Sequence, residues 1–199
     1  MYYSKRFSYK FVKFNGSEYI CLVMIKSHLI IVGYMGSGKS VVGKKLSSKI
    51  KLPFVDLDDE IVRKYQMSIS KIFETKGEIE FRKIERKVLM STLNRKDKTI
   101  ISLGGGTPCY FDNMDIIKKI TKRIYYINTS LNLLNERLFN EKEFRPMISR
   151  FKDKNELKEF IAKHLFERKP FYDMSTYKID CSENKTVDDV CEEIINTLD

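Results

Sequence analysis

The sequence predicts an α/β fold built on a mainly parallel sheet, and three observations carry that expectation. From His28 onward, short apolar runs alternate with stretches of helical periodicity, the pattern of successive strand–helix–strand units. Leu29–Val32 is apolar without a break, as a strand covered on both faces requires. A glycine-rich turn then joins this run directly to a helical pattern.

The elements follow in chain order. Val41–Ile50 reads as a helix because Val42, Leu46 and Ile50 recur at intervals of four. Pro53–Val55 is the next strand, ended by Asp56 and Asp58. Asp58–Tyr65 is a short helix, and Gly77–Leu93 a longer one with Phe81, Ile84, Val88 and Leu89 on one face. Thr99–Leu103 is a strand running into Gly104-Gly105-Gly106. Met114–Ile120 is helical, Arg123–Ile127 a strand, and Ser130 suits the N-cap of a helix over Leu131–Phe139. Asn140–Arg150 lacks clean periodicity and contains Arg145-Pro146, which predicts a mobile loop. Asn155–Arg168 is helical and is expected to stop before Pro170. Tyr177–Ile179 is a last strand, and Thr186 with Asp189 opens the closing helix as a capping box, Asp replacing the usual Glu.

A chain of 199 residues, 42% of them hydrophobic, can close one well-formed core and is too short for two sizeable domains. The expected organisation is an extension at residues 1–23 and a single domain over 24–199, with the loop at about 140–150 as a lid. The extension is aromatic and basic (Lys5, Arg6, Lys10, Lys13) and lacks the apolar region of a secretory signal. Three readings of it stand open: an upstream segment preceding a start at Met24, an added edge strand, or a partner-binding tail.

No apolar run approaches the ~20 residues of a membrane-spanning helix, so no membrane role is expected. The net charge of +10 suits nucleic acid, an anionic surface, small anionic substrates or solvated lysine-rich helix faces. No stretch interleaves aromatics with Arg or Lys as a base-stacking strand would, and no nucleic-acid partner is expected. Cys21, Cys109, Cys181 and Cys191 lie far apart, and only His28 and His164 are on hand to complete a zinc site. Structural zinc and a disulfide framework are therefore not expected, and scattered thiols suit a reducing cytoplasm.

Gly33-Tyr34-Met35-Gly36-Ser37-Gly38-Lys39-Ser40 fits G-x-x-x-x-G-K-[ST] between a strand and a helix. Glycines let the backbone wrap a phosphate, and consecutive N–H groups and the helix N-terminus supply partial positive charge. Lys39 suits the β- and γ-phosphates, and the Ser40 hydroxyl suits Mg²⁺. The motif establishes nucleoside-triphosphate binding and leaves the acceptor open.

Other residues bear on the acceptor. Asp56 and Asp58 fall at a strand end, where alternation places them on one side of the ligand crevice. One carboxylate can hold a metal-bound water and the other can take a proton from an acceptor hydroxyl; Asp58 as a helix N-cap is the competing reading. The triple glycine suits a ligand touching main-chain N–H groups, or else a floppy turn. Arg82, with Glu85 one turn later to lock it, and Arg168 suit bidentate capture of a carboxylate. Singly, each reads more often as a surface arginine. Arg145, in the irregular loop, is placed to swing over a transferring phosphoryl group.

With these residues in hand, the chain resembles the shikimate kinases from about Ile30 to its C-terminus. The ordered match is Gly33–Ser40, Asp56-Leu57-Asp58, Ile72-Phe73, Gly77-Glu78, Glu80-Phe81-Arg82, Ile84-Glu85, Leu103–Gly106, Arg145-Pro146 and Arg168-Lys169-Pro170-Phe171-Tyr172. The resemblance implies a P-loop, nucleoside-monophosphate-kinase-like fold: three α/β/α layers, a five-stranded parallel sheet and a mobile lid. It implies ATP-dependent phosphorylation of the 3-hydroxyl of shikimate, on the way to chorismate and the aromatic amino acids. The implied shikimate-binding residues are Asp58, Arg82, Gly105 and Arg168, with Asp58 orienting or deprotonating the hydroxyl. The implied ATP contacts are Gly36, Ser37, Gly38, Lys39, Ser40, Val41 and Arg145. Ser40, and Asp56 through water, would hold one Mg²⁺, and Glu85 would support the arginines. A monomer is expected. The stretch Ser182-Glu183-Asn184-Lys185 departs from the family's basic adenine loop, leaving Lys185 as a substitute contact. Alternatives are a gluconate or nucleoside monophosphate kinase of the same fold, and a nucleotide-binding module without turnover.

Overall fold

The computed structural model describes residues 8–14, 17–23, 27–145 and 147–198; Met24, the proposed start, lies outside them. Strands β1 (Ser8–Phe14) and β2 (Ser17–Val23) pair antiparallel as a separate two-stranded sheet. They add no edge strand to the main sheet.

The main sheet has five strands, all parallel: β3 (Leu29–Val32), β4 (Phe54–Asp56), β5 (Ile100–Ser102), β6 (Ile124–Thr129) and β7 (Tyr177–Cys181), in the order β4-β5-β3-β6-β7. Strand alternation sorts their side chains into two cores. Leu29, Ile31, Ile100, Tyr125 and Ile127 bury against α1 (Lys39–Ile50) and α7 (Val187–Ile195) on one face. Ile30, Val32, Ile101, Ile124 and Tyr126 bury on the other. That second face is covered by α2 (Leu57–Tyr65), α3 (Ile69–Leu93), α4 (Asn113–Ile120), α5 (Leu131–Asn140) and α6 (Lys154–Tyr172). The three-layer expectation is met. Because both faces are apolar, every residue of β3 is buried, and its C-terminal end opens into the glycine-rich turn.

The caps at Ser130 and at Thr186 with Asp189 form as the sequence predicts. Two helices differ from expectation. A helical segment precedes Gly77, capped by the Ser68 hydroxyl on the Lys71 N–H at 3.1 Å. Gly77, with φ 76° and ψ 172°, is the kink between the two helical pieces joined as α3, so the helix expected from Gly77 to Leu93 does follow it and only the piece before it is new. The last helix also runs through Pro170 to Tyr172. A proline that close to a C-terminus removes one backbone bond at an exposed position. The fully buried Tyr172 packs on the same turn.

Candidate active site

Gly38, at φ 91°, leads into α1, whose N-terminus has no side-chain cap; Gly36 is also left-handed, at φ 76°. The first-turn N–H groups are therefore available to an anion, and the helix dipole reinforces them. Lys39 folds back beneath the turn, and its buried Nζ donates to the Tyr34 carbonyl at 2.9 Å. Burial pushes its pKa down to about 8 against the pull of Asp58 and Asp56. It still holds its proton at neutral pH.

One turn on, a Cβ at Gly43 would overlap the Phe54 ring, so α1 lies tightly over β4. That approach brings Ser40 Oγ to 2.5 Å from Asp56 Oδ2, to which it donates. The other oxygen of Asp56 caps α2 by accepting the Asp58 N–H at 3.0 Å. Strand alternation is therefore the wrong reason for the convergence of the two carboxylates: β4 ends at Asp56, and Asp58 stands in the first helical turn. Asp56, not Asp58, is the cap. Burial, and then the charges of Asp56 and Glu85, push Asp58 up to about 6, with Lys39 opposing.

Arg82, on α3 beyond the Gly77 break, is 6% exposed. Its Nη1 donates to Glu85 Oε2 at 2.9 Å and its Nη2 to Glu78 Oε1 at 3.2 Å, while the Tyr110 ring covers it at 4.0 Å. Those partners are fixed in turn, since Thr107 Oγ1 donates to Glu85 at 2.6 Å and the Tyr110 hydroxyl to Glu78 at 2.6 Å. Arg168, also buried, lies on the last turns of α6 with its guanidinium 5.9 Å from the Tyr34 ring centre. Glu85 thus supports Arg82, and no ion pair joins it to Arg168 among the described residues.

These groups surround two adjoining cavities. The larger, about 460 Å³, is bounded by Gly36, Gly38, Lys39, Ser40, Val41 and Asp56. The smaller, about 270 Å³, is bounded by Phe73, Phe81, Arg82, Glu85, Gly106 and Arg168. Met35, Asp58, Gly105 and Arg145 line both. Arg145 follows a short 3₁₀ turn (Lys142–Phe144), held by Glu141 through Nε at 3.0 Å and Nη2 at 2.6 Å.

Two sequence-predicted contacts are not brought to the cavities. Ser37 lies buried beneath the turn, its N–H donated to the Tyr34 carbonyl at 3.2 Å. Lys185 is held by the Asp180 carbonyl and the Glu193 carboxylate, and Val187 lines the larger cavity in its place. Sequence reasoning missed Arg137, which lines that cavity and donates to the Gly36 carbonyl at 3.2 Å. It missed Ser102, a residue lining the cavity at the end of β5, whose buried Oγ makes no hydrogen bond among the described residues. It missed Tyr172, whose hydroxyl donates to the Gly105 carbonyl at 2.6 Å. Ser102 was within reach, since it stands one residue before Leu103–Gly106. Arg137 acts across the fold and leaves no local signal, and Tyr172, though it ends the matched run from Arg168, gives no local sign that its hydroxyl reaches Gly105.

A family model described as shikimate kinase matches residues 35–199. The shikimate kinase of Flavobacterium johnsoniae is 39% identical over 170 residues, 85% of this chain and 98% of that protein. The solved shikimate kinase of Bacteroides thetaiotaomicron superposes with a TM-score of 0.80 at 31% identity, covering 86% of this chain and 98% of the other. The Acinetobacter baumannii shikimate kinase, solved in complex with shikimate, does so with a TM-score of 0.75 at 28% identity, covering 85% and 91%.

Proposed function

The chain belongs to the shikimate kinase family, ATP-using phosphotransferases, and on that premise we propose how its residues carry the γ-phosphoryl group of ATP to the 3-hydroxyl of shikimate. One observation carries the reading: Asp58 stands where the two cavities meet, with the Lys39 cradle on one side and Arg82 and Arg168 on the other. The larger cavity takes the nucleotide and the smaller takes the acceptor.

The α1 N–H groups and Lys39 hold the phosphates, so that charge on the transferring group meets fixed dipoles and a buried cation. Arg82 and Arg168 take the acceptor carboxylate, and Arg82 arrives already oriented by Glu85, Glu78 and Tyr110. Asp58, with its pKa near 6, is ionised at neutral pH and basic enough to accept the hydroxyl proton as the new P–O bond forms. Arg145 can exchange Glu141 for the phosphoryl oxygens as the lid closes, excluding water. Gly105 contributes main chain between the two halves, fixed by Tyr172.

Among the described residues no cluster of three or more His, Cys, Asp or Glu is placed to hold a metal, so a divalent ion would enter with phosphate oxygens as most of its ligands. The residues present fit one Mg²⁺. Ser40 Oγ donates its hydrogen bond to Asp56 and so presents lone pairs to a cation. Asp56 and the unbonded Ser102 hydroxyl stand ready for ion-bound waters. Bound there, Mg²⁺ neutralises phosphate charge.

Residues 24–199 are proposed as the working unit. The unit is proposed to act as a monomer, both cavities being lined by residues of one chain, so that the site needs no second copy to complete it. A cytoplasmic location is supported by the free thiols of Cys109, Cys181 and Cys191. No helix among the described residues is long and apolar enough to cross a membrane. The test is coupled ADP release with Mg²⁺-ATP and a panel of shikimate, quinate, gluconate and a nucleoside monophosphate. Turnover with shikimate is expected. Turnover with gluconate or the nucleotide, and none with shikimate above background ATP hydrolysis, would falsify the acceptor assignment.

A further inference from the structure

Tyr34 occupies one of the variable positions of the glycine-rich turn, where the motif asks for no particular side chain. Here it is 1% exposed and it touches both halves of the site. Its carbonyl accepts from Lys39 Nζ at 2.9 Å. Its ring stands 5.9 Å from the Arg168 guanidinium. Its hydroxyl meets His164 Nδ1 at 2.9 Å, a contact between residues 130 apart in sequence. His164 lies one turn before Arg168 on α6, so a bond fixed at His164 also fixes the helix turn that carries the arginine.

The imidazole suits this task. Phe160, one turn further back, packs on it at 5.4 Å between ring centres, and the Tyr34 ring meets it edge-on at 5.6 Å. Burial, then the charge of Arg168, pushes His164 down to about 4, so at neutral pH the imidazole is uncharged and Nδ1 can accept a hydrogen bond from the phenol. Burial raises the Tyr34 phenol, which keeps it a donor. A buried hydroxyl with one well-placed partner is a directional constraint, which apolar packing alone is not.

We propose that Tyr34 and His164 form a positioning pair that sets Arg168 in register with Lys39, so that the acceptor's carboxylate and the transferred phosphoryl group are held at a fixed separation. Neither residue touches a reacting atom; both act through Arg168. The inference rests on the acceptor reading given above.

The test compares Tyr34→Phe, His164→Leu, the double variant and His164→Asn by steady-state kinetics in both substrates, with thermal melting of each. Phenylalanine keeps the packing and loses only the bond, and asparagine keeps an acceptor close to the position of Nδ1. Tyr34→Phe and His164→Leu are each expected to raise the shikimate KM about three- to tenfold, the effect of one net hydrogen bond. The ATP KM should stay within about twofold. The double variant should be no worse than the singles, and His164→Asn should lie near the parent. The double variant also separates the two roles, because it leaves no buried polar group unpaired. If it regains the parent shikimate KM along with its melting temperature, the pair serves stability alone and the proposal is overturned. A shikimate KM within about twofold of the parent in Tyr34→Phe, or equal rises for both substrates, overturns it as well. A parent protein with no shikimate turnover would instead overturn the acceptor reading and the inference built on it.

Discussion

Asp58→Asn should make the protein more stable and catalytically inert, and the structure sets the size of the effect. The side chain stays nearly isosteric and the neutral amide mimics the protonated acid. In the folded protein the carboxyl titrates near 6, against 3.8 for an unperturbed Asp. At about 1.4 kcal/mol per pKa unit, holding Asp58 ionised in the fold costs about 3 kcal/mol as a ceiling. That figure already includes the opposing attraction of Lys39, which acts to lower the same pKa. For a group raised on folding, the folded state binds more protons between the two pKa values, so stability falls as pH rises. Parent and variant should therefore melt together near pH 4 and diverge through pH 6. Above that, the variant should lead by up to about 6–12 °C, taking about 2–4 °C per kcal/mol for a chain of this size.

The assay is thermal melting from pH 4 to pH 8 in the absence of substrates, paired with coupled ADP release at pH 7.5. Asp58→Asn should lose about two to four orders of magnitude in kcat, the usual reach of a positioned general base. A variant that melts below the parent across pH 6–8, or shows the parent's pH dependence, would refute the electrostatic argument. One that melts higher but transfers at the parent rate would refute the role as base while leaving the electrostatics standing.

Gly106→Ala tests the acceptor clamp without touching a charge. The backbone there is ordinary, at φ −93°, but a Cβ would lie 2.7 and 2.8 Å from Arg82 Nη1 and Nη2, and that guanidinium is pinned. The shikimate KM should rise at least about tenfold with the ATP KM near the parent value, which steady-state kinetics in each substrate will show; an unchanged shikimate KM would mean that Arg82 does not hold the acceptor. Arg168→Ala should weaken the acceptor by a similar or larger factor, as expected for removing a charged hydrogen-bonding partner, and equilibrium titration with shikimate should report it directly. Lys39→Ala should abolish transfer, measured by the same ADP coupling, while melting shows an intact fold. In the parent, kcat/KM for shikimate should fall as pH drops through about 6, where Asp58 takes up its proton.

The phosphate cradle was legible in the sequence because a phosphate is bound by the main chain of consecutive residues, and such a site must be written contiguously. The clamp was legible only residue by residue. Arg82 and Glu85 are one helical turn apart, so their pairing could be read, but nothing local reveals that Tyr110 covers the guanidinium or that Tyr34 holds the helix bearing Arg168. Gly77 does separate two helical pieces, but the piece before it, which buries Ile72 at 0% exposure, went unread. Pro170 was read as a helix boundary on intrinsic preference, and the burial of Tyr172, also at 0% exposure, overrode it. Asp58 came out on the correct side of the crevice for the wrong reason, because a strand end and the first helical turn beyond it can open toward the same cavity.

The charge of the molecule and the charge of its site are separate matters. Around the two cavities, Lys39, Arg82, Arg137, Arg145 and Arg168 face Asp56, Asp58, Glu85 and Glu141, which leaves the site near balance. The surplus of +10 therefore lies mostly elsewhere, part of it in the basic N-terminal segment with Lys5, Arg6, Lys10 and Lys13 and part on helix faces such as those of Lys44, Lys45, Lys64 and Lys83, all exposed. A nearly neutral site cannot draw two anionic substrates by net potential. It must do so by orientation, presenting uncapped N–H groups and guanidiniums such as those of Arg82 and Arg145, whose own carboxylates already fix their direction. That arrangement makes the Asp58 carboxylate costly in the empty protein and useful in the loaded one. It is why the removal of a single charge at Asp58 should move stability and catalysis in opposite directions.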